Sequence, residues 1–165
     1  MATLHLMVGL PCSGKTTFAK QLEVEGKALR LTPDEWQRHL FGQDATHPEH
    51  DSRHTKIEEL QWQVAAAALR LGTDVILDYG LWARVERDDY RDRAAALGAT
   101  TVIHYLEVSN DELLARLKVR NESAGDDVTF IPPAMLKKWI PIFQAPSAEE
   151  LALNNKCLPE SRPFG

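Results

Sequence analysis

Gly9-Leu10-Pro11-Cys12-Ser13-Gly14-Lys15-Thr16, near the start of this 165-residue chain, has the form G-x-x-x-x-G-K-[ST]. Ahead of it the apolar run Leu4-His5-Leu6-Met7-Val8 reads as a buried strand. Behind it Thr17-Phe18-Ala19-Lys20-Gln21-Leu22 reads as the opening of a helix. Strand, loop and helix in that order predict a phosphate-binding loop rather than a chance glycine-rich turn. The glycines allow successive N–H groups to converge into a nest for anionic oxygens. The positive end of the following helix falls on the same spot. In such a loop the Lys15 ammonium reaches the β and γ phosphates, and the Thr16 hydroxyl is placed to hold Mg²⁺. Gly9, Leu10, Pro11, Cys12, Ser13, Gly14, Lys15, Thr16 and Thr17 are the expected nucleotide-binding residues. ATP and Mg²⁺ are the expected cofactors.

The length allows one well-cored domain, here expected over residues 1–165, with a poorly defined tail from about 147. Hydrophobic residues at 44% and charged residues at 26% are those of an ordinary globular chain. No apolar run approaches the roughly 20 residues needed to span a bilayer, and the N-terminus lacks a signal pattern, so a cytoplasmic protein is expected. A formal net charge of −5 argues against general affinity for nucleic acid, while a local basic groove stays open. Two cysteines, Cys12 and Cys157, are too few for a disulfide scaffold. Cys12 reads as a small side chain facing the loop interior.

Past the first helix, ended by Gly26, Lys27–Leu31 alternates as a short second strand. Thr32-Pro33-Asp34-Glu35 predicts a helix start with Pro at the first helical position and a Thr32/Glu35 capping box. The segment Gln43 to Asp51 is polar and holds His47 and His50, with His54 close behind. Without a cysteine nearby these histidines read as a polar, substrate-side loop rather than a zinc site. Ile57, Leu60, Val64, Ala68 and Leu71 mark one face of a long helix closed by Gly72. Asp74–Asp78 is a third strand ending on a carboxylate, and Ala83–Leu97 a charged helix with Tyr90, Ala94 and Leu97 as its apolar stripe. Thr101–Leu106 is a fourth strand. A Ser109/Glu112 capping box then opens a helix buried through Leu113, Leu114 and Leu117. A polar loop from Glu122 to Thr129 and a short helix around Leu136 and Trp139 follow, with no placeable fifth strand beyond.

Strands alternating with helices predict a three-layer α/β fold with a parallel sheet of four to five strands. Ligands in such sheets bind beyond the carboxyl ends of the strands. That rule brings together Gly9 to Thr16, Asp34, Asp78 to Trp82, and Glu107 to Ser109.

The loop, Thr32-Pro33-Asp34-Glu35-Trp36, Asp78 ahead of Trp82, and Arg116 with Arg120 together resemble the small P-loop kinases. The likeness is nearest to the AAA_33-type kinases, related to the kinase domain of polynucleotide kinase, zeta toxins and chloramphenicol phosphotransferase. It covers about residues 3 to 145, and only the P-loop is highly specific. The resemblance implies a nucleoside-kinase-like P-loop fold with a lid, here about residues 118–130. It implies that Asp34, just after the second strand, takes the proton from an acceptor hydroxyl. It also implies that Arg116 and Arg120 clamp the polyphosphate and meet charge on the transferring group. Asp78 ends its strand as a Walker-B acid would, ready to orient Mg²⁺ or to bind the acceptor hydroxyl. An acid in a first helical turn and a basic pair on a helix face also occur for purely structural reasons. Arg38, Arg84 and Arg87 are weaker candidates for contacts with an anionic acceptor. The His47 region lacks the clear basic motif of nucleoside monophosphate kinases.

The expected activity is an ATP·Mg²⁺-dependent transfer of the γ-phosphoryl group to an unidentified hydroxyl-bearing acceptor. Two other readings share the loop: a nucleotide switch or ATPase module, and a 5′-hydroxyl polynucleotide kinase. The switch would want a residue that orients an attacking water, and none stands out. The polynucleotide kinase differs only in acceptor, and the acidic balance of the chain weighs against it.

Overall fold

Four parallel strands, β1 (Thr3–Val8), β2 (Leu29–Leu31), β3 (Val75–Gly80) and β4 (Thr100–Tyr105), lie in the order β2-β3-β1-β4. A computed structural model describes residues 1–42, 47–123 and 130–154. Around the sheet run α1 (Lys15–Gly26), α2 (Pro33–Phe41), α3 (His50–Arg70), α4 (Arg84–Ala96), α5 (Asn110–Glu122), α6 (Pro133–Trp139) and α7 (Ala148–Ala152). This is the expected α/β, three-layer P-loop architecture, with four strands among the described residues.

Period-two burial sorts the strands onto two cores. Leu4, Leu6 and Val8 of β1, with Leu31, Val75, Leu77 and Ile103, meet Ala65 and Leu69 of α3 and Ala94 of α4. Met7 and Ile76 turn to the other face, against Ala19, Phe18 and Leu22 of α1. A third cluster, Leu10 with Leu113, Leu117 and Leu136, seats α5 and α6 beneath the phosphate-binding loop. β1 is therefore interior to the sheet, with Leu4, Leu6 and Val8 on one face and Met7 on the other, and its carboxyl end is packed on both faces where the loop begins.

Three local expectations are corrected. The buried face of α3 is Ile57, Gln61, Ala65, Ala66 and Leu69, whereas Leu60, Val64 and Leu71 are 49%, 37% and 85% exposed. Small alanines bring the helix close to the sheet, and the larger apolar residues are turned outward. The Thr32/Glu35 capping box does not form: Thr32 makes no side-chain cap. Arg30 on β2 draws both groups instead, binding the Glu35 carboxylate at 2.9 and 3.1 Å and the Thr32 hydroxyl. At α5 half the box is present. Ser109 Oγ accepts from the Glu112 N–H, but the Glu112 carboxylate bonds Arg116 Nε at 2.7 Å.

Two features tie down the far end of the chain. At Ser147 a full capping box opens α7, with Ser147 Oγ accepting from the Glu150 N–H and Glu150 accepting from the Ser147 N–H. Just beyond, the Asn154 carboxamide donates to the Ile103 carbonyl and accepts from the Ile103 N–H, both at 2.9 Å. β4 stands at the end of the strand order, so a side-chain amide satisfies peptide groups that a fifth strand would otherwise meet.

Candidate active site

Between β1 and α1 the loop is stretched over a backbone that demands glycine at its first position. Gly9 has φ +155, and a Cβ there would meet Ser13 Oγ at 2.6 Å. The Gly9 N–H donates to the Gly80 carbonyl at 3.0 Å, stitching the loop to the end of β3. Gly80 itself has φ +97, and a Cβ on it would approach the Gly9 carbonyl at 3.4 Å and Lys15 Cε at 3.6 Å. It backs the lysine, and its neighbours in sequence showed no glycine motif that would have singled it out.

A cavity of about 480 Å³ opens beside the loop, lined among others by Pro11, Lys15, Thr16, Asp34, His54 and Asp78. β1, β2 and β3 deliver all of these but His54 from their carboxyl ends, as parallel α/β sheets do, and His54 comes from the first turns of α3. Lys15 is half-buried, and burial lowers its pKa, while Asp78 and then Asp34 pull it back. Asp78 is only 5% exposed, and burial raises its pKa against the pull of Lys15. Its Oδ2 lies 3.4 Å from Arg30 Nη1, and its Oδ1 has no hydrogen-bond partner among the described residues. The Thr16 hydroxyl also acts on Asp78, lowering its pKa against burial, and a carboxylate beside a hydroxyl on one cavity wall fits a hard divalent cation. Mg²⁺ keeps most of its shell as water and phosphate oxygen and needs only one or two protein ligands. No group of three His, Cys, Asp or Glu able to hold a metal by themselves occurs among the described residues.

Asp34, in the first turn of α2, has an 89% exposed side chain open to the cavity. His54 Nε2 lies 3.3 Å from its Oδ1, and His54 Nδ1 lies 3.5 Å from Glu58 Oε1. The hydrogen bond to His54 lowers the pKa of Asp34, and the same bond raises that of His54. Because Asp34 faces solvent, the pair is weak. Sequence reasoning left His54 in a polar loop. The structure continues α3 back to His50, and the i, i+4, i+8 spacing of His50, His54 and Glu58 was the signal that puts them on one helix face. The sign of the pH dependence follows. Asp34 stays ionised at neutral pH, and the His54 imidazolium that engages it persists above the ordinary value of about 6.5. The pair stabilises the fold fully below about pH 6.5 and loses that contribution as pH rises through the raised value. If Asp34 must accept a proton, turnover rises with pH through the same window as His54 discharges and frees Oδ1. His54→Gln should abolish that limb, which a pH–rate profile of both proteins would read.

Arg116 and Arg120 lie on α5 on the other side of the loop. Arg116 Nη1 is 3.5 Å from the carbonyls of Cys12 and Ser13, and Arg120 Nη1 is 3.8 Å from Cys12 Sγ. Residues 124–129 of the expected lid lie outside the described residues. Arg38 is on α2, one turn past Asp34, and does not line the cavity. Arg87 requires correction as a substrate contact. Its side chain is fully buried and forks onto Glu150 of α7, with Nε to Oε1 at 2.9 Å and Nη2 to Oε2 at 3.2 Å. Nη1 donates to the carbonyls of Leu81 and Trp82, leaving nothing to face a ligand. The charged run of α4 gave no hint of this, because the partner lies 63 residues away. Burial alone would raise the pKa of Glu150, but the Arg87 bond, the Ser147 N–H and the charges of Arg87 and Arg84 together outweigh it, and the net direction is down. The pair therefore stabilises above the ordinary glutamate range of about 4.3 and is lost as pH falls through the lowered value. Glu150→Ala leaves the guanidinium buried and unpaired and should cost about 3–5 kcal/mol in urea unfolding.

No curated protein matches this sequence at a significant level. Solved structures do match its fold. A chain of the Pnkp1/Rnl/Hen1 RNA repair complex aligns with TM-score 0.68 and 24% identity over 96% of this chain. That alignment spans 46% of the repair chain, so this protein is about half its length. Chaetomium thermophilum Kti12, solved with ADP-AlF3, aligns with TM-score 0.67 and 14% identity, covering 93% of this chain and 94% of that one. A gluconokinase from Sinorhizobium meliloti aligns with TM-score 0.55 and 17% identity, covering 90% and 77%. At these identities the likeness is one of fold, that of the P-loop kinases. Among the described residues no helix is long and apolar enough to cross a membrane. The AAA_33 profile, described as an AAA domain, matches residues 4–146, from the strand that feeds the loop to the segment beyond α6, and the chain belongs to that family.

Proposed function

We propose that this chain is an ATP·Mg²⁺-dependent kinase that phosphorylates a hydroxyl of a small acceptor. One observation carries the reading: an open carboxylate, Asp34, shares a single cavity with the phosphate-binding lysine. A base and a phosphate loop facing one water-filled pocket are what phosphoryl transfer to an alcohol requires.

In this reading the backbone N–H groups from Gly14 to Thr17, where the loop enters α1, cradle the β and γ phosphates, and Lys15 neutralises them. Thr16 and Asp78 hold Mg²⁺, which when bound screens charge on the phosphates. The acceptor oxygen forms its bond to the γ-phosphorus as the bond to the bridging oxygen breaks, and that electron pair leaves with ADP. Asp34 takes the hydroxyl proton. Arg116 and Arg120, beside Cys12 and Ser13, meet the charge spread over the transferring group. Arg120→Ala should therefore lower kcat about tenfold while changing ATP affinity by less than about threefold, a split that steady-state kinetics resolves.

Acceptor-dependent ADP release, measured across sugars, nucleosides, amino sugars and nucleic-acid 5′ ends, tests the whole reading. Turnover that requires an acceptor supports it. Slow turnover indifferent to every acceptor but raised by a protein partner would replace it with a nucleotide switch.

A further inference from the structure

We propose that the acceptor is a polyhydroxylated amine, cationic at neutral pH, held by Glu58, Glu86 and Asp89 beside the Tyr90 and Trp82 rings. This rests on the kinase reading, since it names the substrate class of the same cavity.

The two sides of the site carry opposite charge. Arg116 and Arg120 approach the loop from α5, and among the described residues no arginine lines the cavity. Its wall carries five carboxylates, Asp34, Glu58, Asp78, Glu86 and Asp89, against Lys15 and His54. Lys15 faces Asp78 and Asp34, His54 lies between Asp34 and Glu58, and Arg93 pairs with Asp89 from outside the lining, so the wall keeps a net negative charge, with Glu86 its α4 carboxylate in no ion pair among the described residues. Each α4 acid has one local bond: Glu86 accepts from the Ala83 N–H at 2.9 Å, and Asp89 meets Arg93 at 2.6 Å. A carboxylate has about four lone-pair sites, so both keep capacity for a ligand.

Aromatic rings complete the wall. Tyr90 and Trp82 line the cavity, and Tyr90 already takes one cation, the Arg93 guanidinium, at 5.4 Å from its centroid. Asp78 and Tyr79 also contribute to the wall, although Asp78 Oδ1 and the Tyr79 hydroxyl, both unbonded among the described residues, are enclosed by protein rather than open to the cavity. Sugar phosphates and polynucleotide ends would place anions against this wall without a cation to meet them, at a cost in specificity of like-charge contact. Ammonium and hydroxyl donors match it. The amine takes no part in the chemistry, since the phosphoryl group still goes to a hydroxyl and the proton to Asp34.

Three six-membered-ring probes of similar size separate the charge classes: 2-deoxystreptamine, myo-inositol and myo-inositol 1-phosphate. Binding is measured by calorimetry on the full chain with a non-hydrolysable ATP analogue and Mg²⁺, and turnover by ADP release with ATP. The expected result is binding of 2-deoxystreptamine at least about tenfold tighter than myo-inositol, weakening as salt rises. Glu86→Gln, which keeps shape and the bond from the Ala83 N–H, and Asp89→Asn, which keeps shape but gives up the ion pair with Arg93, should each weaken the diamine by about 2–5-fold, the worth of a surface charge pair, and leave myo-inositol unchanged. Equal binding of all three probes, preference for the phosphate, no binding of the diamine, or indifference to both variants overturns the proposal. Turnover of the neutral or anionic probe in that case leaves the kinase reading standing. Tight diamine binding with no turnover of any acceptor leaves the charge assignment standing and overturns the kinase reading.

Discussion

Asp34→Asn is expected to lower acceptor-dependent turnover by about 10²–10⁴-fold while the protein stays folded and still binds ATP. The substitution removes the basic lone pair and little else. Asn is nearly isosteric and tolerated at a helix N-terminus, so losing the charge from the first turn of α2 costs on the order of 0.3–1 kcal/mol. The contact with His54 is open to solvent, and its loss adds only about 0–1 kcal/mol. A rate loss of that size corresponds to roughly 3–5 kcal/mol of barrier, which stands clear of both. Thermal melting and ATP affinity near wild type, with turnover collapsed, assign the proton to Asp34. Preserved turnover with a slightly lower Tm would leave Asp34 a helix-start residue, and the buried Asp78 would become the next carboxylate to test.

Lys15→Met should cost about 10³-fold in turnover, the scale seen when a fixed charge stabiliser is removed from a transition state. Methionine keeps the unbranched stem that lies in front of Gly80, so packing at the loop survives. What disappears is, among the described residues, the only lysine lining the cavity, set among Asp34 and Asp78. ATP affinity should fall as well, because the lysine meets the phosphates in the ground state as well as in the transition state. Far-ultraviolet circular dichroism unchanged from wild type would show that the fold is intact. A variant retaining near-normal phosphoryl transfer would place the chemistry elsewhere.

What could be read before any coordinates was local. The loop, its flanking strand and helix, and the acids near strand ends depend on short-range rules, and β1, α1 and Asp34 fall where those rules put them, whereas Asp78 lies two residues inside β3, which runs on to Gly80. The misreadings came from partners distant in the chain. Arg87 looked like one more solvated arginine on α4 because Glu150 could not be brought to it from spacing alone. Glu35 looked like a capping residue because Arg30 could not be seen to compete for it. The face of α3 was assigned by hydrophobicity, whereas close approach to the sheet selected alanines. The Ser147-Ala148-Glu149-Glu150 box was legible as a helix start, but the prolines around it masked the signal.

Ancestry and foldability draw different borders on this chain. The family's stretch ends at residue 146, yet Glu150 and Asn154 lie beyond it. Cut at that border, the protein would carry a stranded guanidinium in its interior and, at Ile103 on β4, edge peptide groups that have lost their Asn154 partner. The first would loosen the packing of α4, and the second would offer another copy a strand to zip onto. The smallest autonomous unit is therefore larger than the homologous one, and expression boundaries taken from the alignment would yield a sticky, weakened fragment of a sound protein.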